Sequence, residues 1–483
     1  MNASPIVRKS ILVIFLQAFL VLFGLSPLAR ARQEATAAAP AERAAKIDAY
    51  VDGEMKRFHI PGMALAVVRR GEVLYAKGFG FANLEHQVPV KRETVFQSGS
   101  TGKQYTAMAV LMLAEEGKIK LDESIRTYFL DAPPSWQPIT IRHILNHISG
   151  LGDYTAAFDL RKNFSETELR NLIYRTPLGF KPGERFRYSN LGYATLGTLI
   201  SKISGKFYGD FLKERIFAPL GMATAGIINE SDIIPNRAAG YLWRGKEWKN
   251  QEWVSPTFNS TADGSLYLTL DDVAKWDAAL SAGKLVGRAL LDQAFTSGKL
   301  NDGKETGYGF GWSIARINGR RLIEHGGAWQ GFMAMISRYV DDDFTVIVFA
   351  NLQGAPVERI AHAVAGLWEP SLAQSAPAPV EDKEPEVTAV LKKRIGELAA
   401  GTCRPEIFAK PFAADFFPEG AAQVKGLLGE LGPITGMTLV ERKDEEGGIR
   451  LYRYMVAFGE TRMQFQFRLD KDGLIVRLGI RPE

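Results

Sequence analysis

One cysteine, Cys403, and six histidines are all that 483 residues offer toward disulfide or soft-metal chemistry. A single thiol excludes an intrachain disulfide and a cysteine-based metal cluster. Cys403 is therefore expected to serve as a small buried hydrophobe. A basic stripe is also missing. The 59 Lys and Arg are spread along the chain against 54 Asp and Glu, which argues against nucleic acid as a partner. No internal repeat of solenoid length is visible, so repeat architectures are excluded. The apolar stretch ILVIFLQAFLVLFGL (11–25) is shorter than the ~20 residues of a spanning helix.

That stretch instead follows Arg8 and Lys9 and precedes Ala29 and Ala31 in a small-x-small arrangement. Residues 1–31 read as a secretory signal peptide, with membrane contact only transient through it and a periplasmic or secreted destination. The absence of cysteine near the cleavage site excludes a lipoprotein. Cleavage would remove three cations (Arg8, Lys9, Arg30) and no acid, taking the formal charge from +5 to +2. The remaining composition, 46% hydrophobic and 23% charged, is that of an ordinary globular chain large enough for more than one core.

Residues 32–42 look like a leader tail. GMALAVVRRGEVLYAKGFGFAN (62–83) reads as a β-hairpin about Arg70-Gly71. YTAMAVLMLAEEGK (105–118) is an apolar helix stopped at Gly117. Residues 120–300 are mostly helix and loop, and four strand-like runs follow between 308 and 351, with Asp341–Asp343 as a polar turn and a helix at 357–367. Strands at both ends with helices between them predict one α+β domain over 45–370 whose sheet is closed by distant segments. Residues 371–386 lose periodicity and gain Pro, Ala and acid, as a linker does. Beyond it, 387–483 read as a small α+β module, one helix on an antiparallel meander, cystatin-like or NTF2-like in outline. Met463, Phe465, Phe467 and Leu469 keep a strict period of two there.

Chemistry enters at SGSTGK (98–103). Ser100 and Lys103 are one helical turn apart, so a helix starting near Ser100 sets the amine beside the hydroxyl. A serine N-cap with a solvated lysine explains the same spacing, so the motif alone decides nothing. Two further motifs follow: Tyr188-Ser189-Asn190 within KPGERFRYSNLGYATLG, and His325-Gly326-Gly327 within EHGGAWQGF. With this order and spacing, the chain resembles the serine β-lactamase and penicillin-recognising hydrolase family over about 45–370. The likeness is to its class C-like branch, which also holds D-alanyl-D-alanine carboxypeptidases, D-aminopeptidases and esterases. ITIRHILNHISGLGDY, FLKERIFAPLGMATAG and GSLYLTLDDVAKW support it.

The resemblance implies an antiparallel sheet flanked by helices, with a mainly helical subdomain. It also implies a serine hydrolase that works through an acyl-enzyme on an ester, amide, peptide or lactam. Ser100 would be the nucleophile, and its own N–H with that of Ala328 would form the oxyanion hole. Lys103 and Tyr188 would share the proton traffic; an unperturbed phenol ionises near ~10, so its use as a base needs a neighbouring cation. Asn190 would hold Lys103 by its carbonyl and offer its amide to the substrate. Gly326 and Gly327 would let the strand approach the substrate closely. His325 stands where the family's lactamases carry the lysine of Lys-Thr-Gly. A mostly neutral imidazole there implies weaker carboxylate binding and shifts the expectation from lactams toward esters, peptides and D-amino-acid amides.

No metal or organic cofactor is implied, and the expected partner is a small-molecule or peptide substrate. The rival is a catalytically silent cell-wall or peptide binder of the same fold. His143 and His147, at i and i+4, have metal-ligand spacing but lack a third ligand, and are expected to be helix-packing residues. SGSTG lacks the first glycine of a nucleophile elbow.

Overall fold

Helix α1 (Pro27–Arg57) opens a computed structural model that describes residues 27–482 apart from 155–157, 374–376, 430 and 460. Most of the expected signal peptide, residues 1–26, lies outside the described residues. Residues 32–42, read as a leader tail, belong to α1, whose many alanines favour helix although Pro40 lies inside it. The hairpin follows as β1 (Gly62–Arg69) and β2 (Glu72–Asn83). Its turn residues Arg70 and Gly71 both have positive φ (52° and 76°), the geometry that matches the twist of the flanking strands. Helices α2 (Lys103–Glu115), α3 (Asn190–Ser204) and α4 (Leu270–Ala282) come next. Then β3 (Ser313–Ile317), β4 (Arg320–Trp329), β5 (Phe332–Tyr339), β6 (Phe344–Ala350) and α5 (Val357–Trp368) complete the main unit. The glycine-rich start of YGFGWSIARI stays outside β3.

The sheet has seven antiparallel strands in the order Val88–Pro89, β2, β1, β6, β5, β4, β3. Distant segments close it, since Met63 to Arg69 pair with Ala350 to Phe344. Both faces of its centre are buried. Ala64, Ala66, Val68, Ile347 and Phe349 join the core shared with α2, α3 and α4, while Met63, Leu65, Val67, Val346 and Val348 pack under α1 and α5. Alternation on strands buried on both faces produces this continuous apolar pattern.

One polar group bridges helix and sheet in that core. Arg338 on β5 donates from Nε to Asp277 Oδ1 at 2.5 Å, and Thr345 donates to the same oxygen at 2.7 Å, with the Arg338 and Asp277 side chains 7% and 5% exposed. Removing one member of a buried pair leaves the other charge uncompensated. Asp277→Ala is accordingly expected to destabilise the protein by about 3–5 kcal/mol. Denaturant unfolding checks this, and Asp277→Asn, which keeps an acceptor, is expected to lose less.

The C-terminal region is richer than one helix and a short meander. Helices α6 (Pro385–Ala400), α7 (Lys410–Phe416) and α8 (Glu419–Gly429) precede a four-stranded sheet, β7 (Gly436–Glu445), β8 (Ile449–Phe458), β9 (Thr461–Leu469) and β10 (Ile475–Pro482), paired in sequence order. β7 escapes sequence reading because VERKDE carries five charges in six residues. Helix α6 starts at Pro385, so the last two residues of the expected linker are already helical. Met463, Phe465, Phe467 and Leu469 fill a core separate from those of the main sheet. Cys403 is only half-buried at the edge of that core; burial nonetheless pushes its thiol up to about 11, away from reactive thiolate chemistry.

Candidate active site

Ser100 sits where three stretches of backbone meet. A two-residue strand, Phe96–Gln97, pairs with Leu266–Leu268 and delivers the chain to a tight 3₁₀ turn, Gly99–Gly102. The α-helix proper begins only at Lys103, so Ser100 lies in the turn before α2 and not in its first residues. Ser98 anchors the turn, donating to the Gly264 carbonyl (2.7 Å) while accepting from Leu266 N (3.2 Å).

Glycines set the closeness of this junction. A Cβ on Gly327 would lie 2.0 Å from Ser98 O and 3.1 Å from Ser100 N; one on Gly99 would lie 2.5 Å from Ala328 N. Gly264, at φ +146°, would place a Cβ 2.2 Å from Gly99 O. Contacts this short exclude any side chain, so β4 and the serine turn meet backbone to backbone, with the Ser100 and Ala328 amides at one seam. From His325 onward β4 has left its partner β3, whose pairing ends at Glu324, and this edge faces the turn.

Lys103 is fully buried, and its Nζ donates to three oxygens: Ser100 Oγ (3.0 Å), Asn190 Oδ1 (2.7 Å) and the Asp263 carbonyl (2.5 Å). Three acceptors match the three protons of an ammonium. Asn190 heads α3, whose N-cap Ser189 accepts from Gly192 N at 3.0 Å; the Tyr-Ser-Asn motif is thus a helix start that aims its asparagine inward. The asparagine carbonyl accepts from Lys103. Its amide departs from expectation, donating to Asp153 Oδ2 (3.3 Å), while Asp153 Oδ1 accepts from Asn190 N (3.1 Å).

Tyr188 places its ring 4.8 Å from Lys103 Nζ. Its hydroxyl is buried without a hydrogen-bond partner among the described residues. Such a group in a native site calls for a partner that arrives later, and a reacting serine or substrate is one.

Asp153 and Asp263 were missed in the sequence. Each stands beside a glycine (Gly-Asp-Tyr, Ala-Asp-Gly), which reads as turn chemistry, and Asp263 acts on Lys103 through its main chain, which no side-chain motif reveals.

Ring nitrogens of three histidines are engaged within the protein. His325 spends both of its own. It is 5% exposed, its Nε2 lies 2.8 Å from Tyr308 Oη, and its Nδ1 lies 2.6 Å from the Gly326 carbonyl. The carbonyl only accepts, so Nδ1 carries the proton and Nε2 accepts from tyrosine. Burial, then the Lys103 charge, lowers its pKa to about 3, which keeps it neutral. His143 and His147 do not share a helix face, because that helix ends at Leu145 and His147 has φ 57°. Each instead spends Nδ1 on a backbone amide, His143 on Thr140 N and His147 on Ser189 N. The latter braces the Tyr188 turn from beneath.

These imidazoles predict acid lability. Burial also holds His147 well below the ordinary imidazole value. A histidine neutral in the fold and protonated when unfolded gives the unfolded state more protons, so stability falls as pH drops. The loss should begin near ~6.5, the ordinary imidazole value, and continue toward about 3 for His325. Thermal unfolding across that range checks this, and His325→Gln should flatten part of the slope.

A cavity of about 950 Å³ opens from Ser100, Tyr188 and the Gly326–Ala328 edge. Glu324, Glu358 and His362 form a grouping with metal-ligand chemistry against it, their ligand atoms within 4.8 Å of one another. His362 Nε2, however, lies 2.7 Å from Glu324 Oε2, and its pKa is raised by that contact despite burial, which makes the grouping an ion-paired triad.

The family model Beta-lactamase matches residues 47–367. The chain is 31% identical to penicillin-binding protein 4* of Bacillus subtilis (strain 168) over 62% of its own length and 69% of that protein. It is 28% identical to the D-aminopeptidase of Brucella canis over 89% and 82%. The D-amino acid amidase of Ochrobactrum anthropi SV3, solved with L-phenylalanine amide, superposes with a TM-score of 0.59 at 25% identity, covering 66% of this chain and 97% of that one. With a matched segment spanning most of the chain and enclosing the whole Ser100–Lys103–Tyr188–Asn190 cluster, the chain belongs to the Beta-lactamase family and is a serine hydrolase.

Proposed function

We propose that this hydrolase cleaves the amide or peptide bond on the carbonyl side of a D-amino acid through an acyl-enzyme on Ser100. One observation carries the catalytic part: Lys103 Nζ donates to Ser100 Oγ while the nearby Tyr188 hydroxyl has no partner among the described residues. An ammonium donating to the serine oxygen is not free to take its proton, which leaves Tyr188 as the acceptor. Lys103 then stabilises the anion that accepts it and orients Oγ.

The serine proton passes to the Tyr188 oxygen as Oγ bonds to the substrate carbonyl carbon. The developing oxyanion lies at the seam of the Ser100 and Ala328 amides, and the proton moves on to the leaving nitrogen as the C–N bond breaks. Water, activated by the same tyrosine, returns the serine. No step requires His325, whose role is to hold the Gly326 carbonyl and Tyr308.

The substrate class rests on the D-aminopeptidase and D-amino acid amidase relatives. It also rests on the lack of a permanent cation where the lactamases' lysine stands. We further propose export, on the strength of the charged, apolar and small-x-small succession in residues 1–31. The test is a panel of matched D- and L-amino-acid amides, short-chain esters and a penicillin. Turnover of D-amides well above L-amides and lactams is expected. Preference for the lactam, or equal rates on both enantiomers, overturns the substrate assignment, and no turnover of any with ligand binding retained restores the silent binder.

A further inference from the structure

The cavity that starts at Ser100 does not end within the hydrolase domain. It continues past Met333, Val357 and Leu367 to Met455, Gln464 and Arg481 of the C-terminal module. These three are neighbours in one row across the module's sheet: Met455 pairs with Gln464, and Gln464 with Arg481. Strand alternation puts them on the face opposite the module's own core, whose residues are Tyr454, Val456, Met463 and Phe465. The module therefore turns its outer sheet face to the active-site cavity, and the cavity is incomplete without it.

Arg481 differs from Arg442, Arg453 and Arg468 of that sheet. Arg442, Arg453 and Arg468 each meet a carboxylate, Glu384, Glu441 and Glu445 respectively. Arg481 donates from Nε to Gln464 Oε1 at 2.7 Å, a neutral acceptor, and has no carboxylate within 4.0 Å among the described residues. Gln464 thereby holds the guanidinium, and both residues line the cavity. The other cationic side chains there are already engaged: His362 lies between Glu324 and Glu358, and Arg359 pairs with Glu54.

A cavity lined by the nucleophile, by apolar side chains such as Met333, Val357 and Leu367, and by a guanidinium held by a glutamine suits one kind of occupant. Resting on the D-amino-acid reading, the acyl half of the substrate is a single residue, so a space of about 950 Å³ must take the leaving half. We propose that Arg481 of the C-terminal module is a specificity-determining residue that binds a carboxylate at the far end of the substrate's leaving group. The module thereby selects D-aminoacyl amides whose leaving amine is an apolar chain or short peptide with a free acid terminus. A planar fork binds a carboxylate through two parallel bonds, which a lysine cannot reproduce.

The test uses the full chain carrying Ser100→Ala, so that binding is read without turnover. Ligands are D-alanyl amides of ω-amino acids of increasing chain length, and the same compounds ending in a carboxamide. Calorimetry should show the carboxylate bound about tenfold or more tighter than the carboxamide at one or more lengths. Adding Arg481→Gln should abolish that ratio, and Arg481→Lys should restore only part of it. Equal affinity of the two series at every length, a ratio that survives Arg481→Gln, or no binding of either series overturns the subsite. If Ser100→Ala shows the Arg481-dependent ratio while the wild type hydrolyses none of the compounds, the subsite stands and the D-amino-acid reading falls.

Discussion

Ser100→Ala is expected to abolish hydrolysis, with a loss approaching ~10⁶ in kcat, while leaving the fold intact. The size follows from the geometry: among the described residues, Ser100 Oγ is the one hydroxyl held by Lys103 Nζ (3.0 Å), at the seam formed by Gly99, Gly264 and Gly327. The fold should survive because the turn is anchored by neighbours, Ser98 through Gly264 O and Thr101 through Ser98 O (2.9 Å). Initial rates on an amide substrate check the first part and thermal unfolding the second. Near wild-type turnover by a folded Ser100→Ala protein would remove the nucleophile from the mechanism.

Lys103→Ala and Tyr188→Phe are each expected to reduce acylation by orders of magnitude, and the double variant to be little worse than either single one. Groups that act as a unit on one proton are strongly non-additive. The two should nonetheless differ in stability. Lys103 is fully buried and satisfies Asn190 Oδ1 and the Asp263 carbonyl, so its removal leaves both acceptors unpaired. Unpaired buried acceptors cost about 1–3 kcal/mol each. The Tyr188 hydroxyl has no partner to lose among the described residues, so Tyr188→Phe should unfold near the wild-type temperature. Multiplying activity losses in the double variant would contradict a shared proton.

The contrast between Lys103 and His325 shows where sequence reading reaches its limit. Ser100, Lys103, Tyr188 and Asn190 lie together because local backbone sets their side chains: a turn before α2 and an N-cap before α3. The hairpin at Arg70-Gly71 and the polar turn ending at Asp343 were legible for the same reason, since positive φ leaves a residue signature. His325 was not, because its orientation is decided by Tyr308, 17 residues away and absent from any motif. The Asp263 carbonyl is a main-chain acceptor and has no signature at all. The part played by the module was also hidden. A Pro-Ala-acid linker suggests independence, whereas the sheet row Met455–Gln464–Arg481 reaches back over the active-site cavity, and that closeness is a tertiary fact.

That closeness sets what truncation should do. Removing the chain from about residue 377 onward takes away a wall of the cavity, so loss of substrate selection is expected even where the hydrolase domain folds.

An acyl-enzyme on Ser100, formed with Tyr188 as proton acceptor, is open to detection by intact-protein mass spectrometry after rapid mixing with a D-amino-acid amide or a fluorophosphonate, followed by peptide mapping. One adduct per chain is expected, mapped to Ser100, formed quickly by the wild type and far more slowly by Tyr188→Phe. An adduct on another residue, or equally rapid acylation of Ser100 in Tyr188→Phe, would rule this chemistry out.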